Sequence, residues 1–211
     1  MKKQLMTLLV GVVGMTASAF AGTQAQNTNT VSPTLQISAN IQKAVQLTLA
    51  TGTAATPHCA VTPNAGGNPD YTMNFGTVDA LGINAPSCGS VFAPATPGTS
   101  DAIYWSDYNL TPLFTSQSTS NNTITAAVTT NFGGSNIAIV RDSANSSTVP
   151  ASAAAFTAMS TTAGTPDTLA TNAANGTAIT RFIGVAVHPT NGATAATGVQ
   201  TATVTFTLTV N

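Results

Sequence analysis

The chain has 211 residues, 43% hydrophobic and only 5% charged, with no Glu and a net charge of −1; an ordinary soluble domain carries roughly 25% charged residues. Without a basic cluster it is unsuited to neutralising nucleic-acid phosphates. The six acids, Asp70, Asp79, Asp101, Asp107, Asp142 and Asp167, with five cations and two histidines, leave little from which an acid–base site could be selected, so no catalytic residue, cofactor, metal or small-molecule substrate is expected.

At the N-terminus, Lys2 and Lys3 precede the apolar run Leu8 to Met15, and Ala17-Ser18-Ala19-Phe20-Ala21 follows. A basic start, a short apolar stretch and an Ala-x-Ala ending predict a secretory signal over residues 1–21, cut after Ala21. The run is shorter than the roughly 20 residues of a spanning helix. Cleavage leaves Lys43, Arg141 and Arg181 as the only Lys or Arg residues.

A leader of Thr, Gln, Asn and Ser, Gly22 to Ser32, opens the exported chain and leads into an alternating stretch. Leu35, Ile37, Ala39, Ile41, Lys43, Val45, Leu47 and Leu49 occupy its odd positions. A single strand from Thr34 to Leu49 would be roughly 50 Å long at about 3.3 Å per residue, too long for a compact sandwich. Lys43 divides it into an N-terminal strand, Thr34 to Ile41, and a second, Ala44 to Leu49. Leader and first strand together form a segment over residues 22–42, and the domain proper runs over 43–211.

Further along, Cys59 and Cys88 are the only cysteines. In an oxidising compartment they are expected to pair, a constraint worth on the order of 3–4 kcal/mol in the chain-entropy model. They lack a zinc-type spacing. His58 adjoins Cys59, but neighbours on an extended chain point to opposite faces.

Period-two patterns predict strands at Tyr71 to Phe75, Thr123 to Val128, Ile137 to Arg141 and Thr180 to His188. The clearest lies at Ala202 to Val210, where Ala202, Val204, Phe206, Leu208 and Val210 alternate with threonines. Gly- and Asn-rich turns, such as 63–69, 131–134 and Asn191-Gly192, separate them. Ala151 to Met159 reads as a loop or decorated hairpin. The only Trp, Trp105, stands in an aromatic stretch from Asp101 to Phe114, which fits core packing, an inserted hairpin or a ligand platform. The whole predicts a single all-β antiparallel sandwich.

The N-terminal alternating strand has two readings. It pairs within its own domain as an edge strand, or it reaches into a neighbouring copy and completes that copy's sheet. Burying Leu35, Ile37 and Ile41 at about 1.5–3 kcal/mol each would contribute on the order of 5–9 kcal/mol before backbone hydrogen bonds.

Three motifs in this order resemble those of pilin subunits. Met73-Asn74-Phe75-Gly76-Thr77-Val78 is similar to the apolar-x-Phe-Gly strand of pilins. Ile137 to Ser143, with its Arg141-Asp142 pair, resembles a strand of the spore coat protein U family, which includes pilins of the archaic chaperone–usher systems. Phe182 to Val187, a Gly/Ala-rich turn and Ala202 to Val210 resemble that family's C-terminal hairpin, although the Gly-x-Tyr-x-Asp turn is missing. The resemblance implies an incomplete immunoglobulin-like sandwich lacking its last strand. It also implies a periplasmic chaperone and an outer-membrane usher as partners, then identical subunits in a cell-surface fibre. Leu35, Ile37, Ala39 and Ile41 would be the donor side chains, and Ala202, Val204, Phe206, Leu208 and Val210 one wall of the acceptor groove. The longer chain suggests insertions at Tyr104 to Ser120 or Ser147 to Thr171.

The expected function is that of a structural fibre subunit assembled by donor-strand exchange. The alternative is a secreted monomeric binding module or adhesin using the Trp105 region as its contact surface. Asn-x-Ser/Thr sequons at Asn109, Asn121, Asn145 and Asn175 are expected by chance in so Asn- and Thr-rich a chain.

Overall fold

A computed structural model describes residues 35–39, 44–96, 98–115, 122–188 and 197–210. The predicted signal, the whole leader, Thr34, Ile41, Lys43, Asn121 and the Asn191-Gly192 turn lie outside the described residues. The chain divides into two units, Met1–Ile41 and Gln42–Asn211. In the first, Leu35 to Ala39 are exposed and carry no regular secondary structure, so the strand expected over Thr34 to Ile41 is not formed across these five residues.

The second unit is built from strands. In chain order these are β1 (Val45–Thr51), β2 (Thr62–Pro63), β3 (Tyr71–Thr72), β4 (Ser90–Phe92), β5 (Ala102–Phe114), β6 (Asn122–Thr130), β7 (Ile137–Asp142), β8 (Phe156–Ala158), β9 (Asp167–Thr171), β10 (Ile179–Val187) and β11 (Thr203–Val210). A 3-10 turn at Ala153–Ala155 precedes β8. All pairings are antiparallel. One sheet has the order β1-β5-β10-β7-β8 with β4 also on β5; the other has the order β11-β6-β9; β2 and β3 form a small ribbon. The fold is therefore an all-β sandwich, as its composition and alternation predict.

The smaller sheet follows the alternation rule closely. Thr205, Thr207 and Thr209 of β11 face solvent, while Val204, Phe206, Leu208 and Val210 are half-buried. Val204, Phe206 and Leu208 meet Tyr108, Leu110, Ile124, Ala126, Val128, Met159 and Leu169 in the core between the sheets. The expected strand at Tyr71 to Phe75 is shorter than its pattern suggests, ending at Thr72.

The larger sheet departs from expectation at its centre. Residues 102–114, which overlap the insertion suggested over Tyr104 to Ser120, form β5, the 13-residue spine that pairs with β1, β4 and β10. Both its faces are covered. Tyr108 and Leu110 contribute to the inter-sheet core, whereas Ile103 and Trp105 cluster on the opposite face with Ala55, Val140, Phe182 and Ala186. A strand buried on both sides has no polar face to alternate with, which hides it from a period-two search. Its neighbour β10 approaches the spine closely at Gly184, where a Cβ would stand 2.6 Å from the Tyr104 carbonyl oxygen and 3.1 Å from Trp105 Cβ.

Trp105 is accordingly a core residue. Phe92 stacks on it at 5.5 Å between ring centroids and Phe182 meets its edge at 5.7 Å. The aromatic stretch supplies packing and offers no ring surface to a ligand. Of the two readings of residues 151–159, the decorated hairpin holds, since β8 pairs with β7, and β9 lies within the segment 147–171 that the sequence suggested as an insertion.

Cys59 and Cys88 form the expected disulfide, tying the segment after β1 to the approach of β4. The Cys59 N–H donates to Ser106 Oγ at 2.8 Å, which fastens this staple to the buried spine. Gly89 is required beside it: its φ is +71° and a Cβ would lie 2.4 Å from the Trp105 carbonyl oxygen, a position open to glycine alone.

Candidate functional site: an open edge between β1 and β11

The two sheets are closed unequally at their sides. Among the described residues β1 pairs with β5 alone and β11 with β6 alone, and β1 and β11 approach each other without backbone pairing. Each therefore presents one unpaired edge to the same opening. Leu47 and Leu49 line it from β1; Val204, Phe206 and Leu208 line it from β11. All five pack on the buried core yet remain only half-covered. A row of free N–H and C=O groups beside incompletely covered apolar side chains is the template for an added strand.

The floor of this groove is neutral. Tyr108 lies beneath it, fully buried, and burial pushes its phenol far above the ordinary value, although Arg181 and Arg141 pull the other way. Its hydroxyl has no hydrogen-bond partner. At the start of β1, a depression of about 330 Å³ is lined by Ala44, Val45, Gln46, Leu113, Phe114, Thr115 and Asn175. Val45 is 53% exposed there and Leu113 44%, so the apolar surface extends past the end of the covered core.

Of the residues expected to form a groove wall, Val204, Phe206, Leu208 and Val210 share one face of β11, while Ala202 precedes the strand. Leu35 and Ile37 are 85% and 83% exposed. The second wall, Leu47 and Leu49, was legible only as a strand. Its signal was the apolar alternation that continues past Lys43.

The other side of the smaller sheet is closed. Arg181 on β10 donates its Nε–H to the Leu169 carbonyl at 2.8 Å, and Asn145, following β7, donates its Nδ2–H to the Thr168 carbonyl at 2.8 Å. Arg141 on β7 joins Asp167 at 2.7 Å and also donates to Asn145 Oδ1. Ser160 N–H donates to the second oxygen of Asp167 at 2.6 Å. Burial raises the Asp167 pKa, but the Arg141 hydrogen bond, the Ser160 N–H and the Arg141 charge outweigh it and hold the group below the ordinary carboxylate value. Burial lowers the Arg181 pKa, with Tyr108 and Asp142 opposing.

Asp107, like Asp142, is a carboxyl group buried in the interior. Fully buried on β5, it accepts N–H bonds at Oδ2 from Ala54 at 2.6 Å and Ala55 at 3.1 Å. Its Oδ1 lacks a hydrogen bond and lies 3.8 Å from His58 Nδ1, which is itself 2.6 Å from the Ala55 carbonyl oxygen. This arrangement fixes the turn after β1. The sequon side chains are similarly engaged: Asn109 donates to Thr51, Asn145 to Thr168, and Asn175 accepts from the Phe114 N–H. Among the described residues no three His, Cys, Asp or Glu side chains gather as metal ligands would.

Comparison with protein-family models, with curated proteins and with solved structures finds no match to this chain.

Proposed function

We propose that the protein is a structural subunit of an extracellular fibre that polymerises by donor-strand exchange, the segment Thr34 to Ile41 of one copy filling the groove between β1 and β11 of the next. The observation that carries this reading is the shared open edge, with Leu47, Leu49, Val204, Phe206 and Leu208 half-covered above a closed core. A strand bearing Leu35, Ile37, Ala39 and Ile41 at alternate positions has the periodicity to cover that row. Backbone hydrogen bonds to two free edges would add affinity independent of side chains. The exposure of Leu35 and Ile37 in their own chain agrees with side chains that are buried elsewhere.

In this reading the chain is exported, kept soluble by a periplasmic chaperone and delivered to an outer-membrane usher. The resemblance to archaic pilins and the low charge both favour it, since modest net charge permits close self-association. A monomeric binding module would need another contact surface, because Trp105 is 4% exposed.

The test is the full mature chain with Ile37→Asp. One charge in an apolar groove costs more than the contact supplies, so the variant should remain monomeric where the parent forms filaments by electron microscopy, and it should bind an added Thr34–Ile41 peptide. Filaments from the variant, or a monomeric parent that binds no peptide, would overturn the proposal.

A further inference from the structure

Strand addition to a sandwich poses a problem of direction, because the three-stranded sheet has two edges. An open β11 edge gives one contact per subunit only if β9, at the other edge, is unavailable. The two differ sharply. Nothing caps β11 on its outer side among the described residues, whereas two successive carbonyls of β9, Thr168 and Leu169, each accept a side-chain donor from the opposite sheet. Beyond β9 the row continues: Val128 N–H on β6 donates to the Ser160 carbonyl at 2.8 Å, so Ser160 covers β6 where β9 does not reach. The β6–β9 register also shifts between Ile124 and Thr125, opposite Leu169. The β11–β6 pairing also shifts, but at the start of β11, between Thr203 and Val204, whereas the β9 shift falls in mid-strand, where it interrupts the regular repeat that an incoming strand would need.

The placement of charge points the same way. Arg141 and Arg181 are the only Lys or Arg among the described residues, and both serve this one edge. Both are half-buried, and withdrawing an arginine from water is costly. In a chain so poor in charge, concentrating both at β9 indicates a specific task. Asp142 and Asp167 balance the two guanidiniums, with Asp142 held by the N–H groups of Ala144 and Ser146. The cluster is therefore neutral as a whole, which suits a structural lock better than a site for an anion. The cleft beside it, about 370 Å³, is lined by Asn145, Thr168, Leu169, Ala170, Thr171, Ile179 and Arg181, the lock's own residues.

We infer that Asn145 and Arg181, with Arg141 bracing Asn145 and Asp167, lock the β9 edge and thereby confine strand addition to the β1/β11 opening. This rests on the proposed strand-exchange function. Inward-pointing charge and bulges are general means of blunting an edge; here they would decide that each subunit accepts one strand, so that fibres stay unbranched.

The test uses the full mature chain carrying Ile37→Asp, titrated with a photo-crosslinkable Thr34–Ile41 peptide. With the lock intact, one peptide should bind per chain and crosslink to β1 or β11. Adding Asn145→Ala and Arg181→Gln should raise the stoichiometry to two, the second crosslink falling on β9. One peptide in both proteins, or two with the lock intact, would overturn the lock while leaving strand exchange standing. No binding to the intact-lock chain would instead overturn strand exchange itself. If circular dichroism shows the lock variant unfolded, Arg181→Lys, which keeps the charge but lacks the Nε donor, is read by the same stoichiometry. Crosslinking to β9 is expected, and its absence overturns the inference.

Discussion

Phe206 of β11 meets Tyr108 of β5 edge to face across the two sheets, with 5.6 Å between ring centroids. This contact joins the open side of the sandwich to its spine. Because Phe206 is half-buried, removing its ring should cost less than the 3–5 kcal/mol typical of a fully enclosed Phe. Phe206→Ala is expected to destabilise the subunit by about 2 kcal/mol in urea denaturation. A loss below about 0.5 kcal/mol would mean that the edge-on pair contributes no packing.

Asp107 separates hydrogen bonding from charge. Its Oδ2 accepts two backbone N–H groups and its Oδ1 accepts none. Asn can keep both accepted bonds and place its amide nitrogen at the unpartnered position, so Asp107→Asn should change stability by less than about 1 kcal/mol. Asp107→Ala strands two N–H groups and should cost about 2–4 kcal/mol. Thermal denaturation of the two variants checks this; equal losses would show that the carboxylate charge is what matters. Gly52→Ala should resemble the alanine variant, since a Cβ there would lie 2.1 Å from Asp107 Cγ.

Acid should weaken the subunit in a defined direction. Asp167 is held below its ordinary value of 3.8 by Arg141 and Ser160 against the effect of burial, and Asp79 by the N–H groups of Asn84, Leu81 and Ile83 and by Tyr104, again against burial. A carboxyl lowered in the folded state contributes stability that is fully present above its unfolded value and is lost as pH falls through the folded one. Unfolding free energy measured by urea should thus decline below about pH 4. Asp167→Asn should flatten that decline, and an unchanged slope would remove Asp167 from the cause.

The strands most legible in the sequence were those with one wet face. β11 declares itself through Val204, Phe206, Leu208 and Val210 between threonines, and β1 through Leu47 and Leu49. β5 did not, because Trp105 and Tyr104 are buried on opposite faces and Asp107 and Pro112 interrupt what should read as a central strand. β8 and β9 are too short to show a period among Ser, Thr and Gly. For the site, β11 was visible as a strand from alternation, and its place as a groove wall came only from the resemblance to pilins. The opposing wall and the Arg181–Leu169 contact depend on which strands lie face to face, a long-range fact that no local pattern carries.

The central position of β5 bears on the order in which the molecule can be made. Val45 pairs with Phe114 on one side of the spine, and Ile179 with Leu110 on the other. A nascent chain that has emerged only as far as β5 has one of these neighbours and not the other, and non-local pairings of this kind form slowly. Until β10 arrives, one edge of β5 is unpaired and Trp105 lacks Phe182 and Ala186; until β11 follows, Tyr108 lacks Phe206. The polypeptide thus passes through an interval in which its central strand is only partly covered, so the chaperone of the proposed function would be needed before any groove exists to be filled.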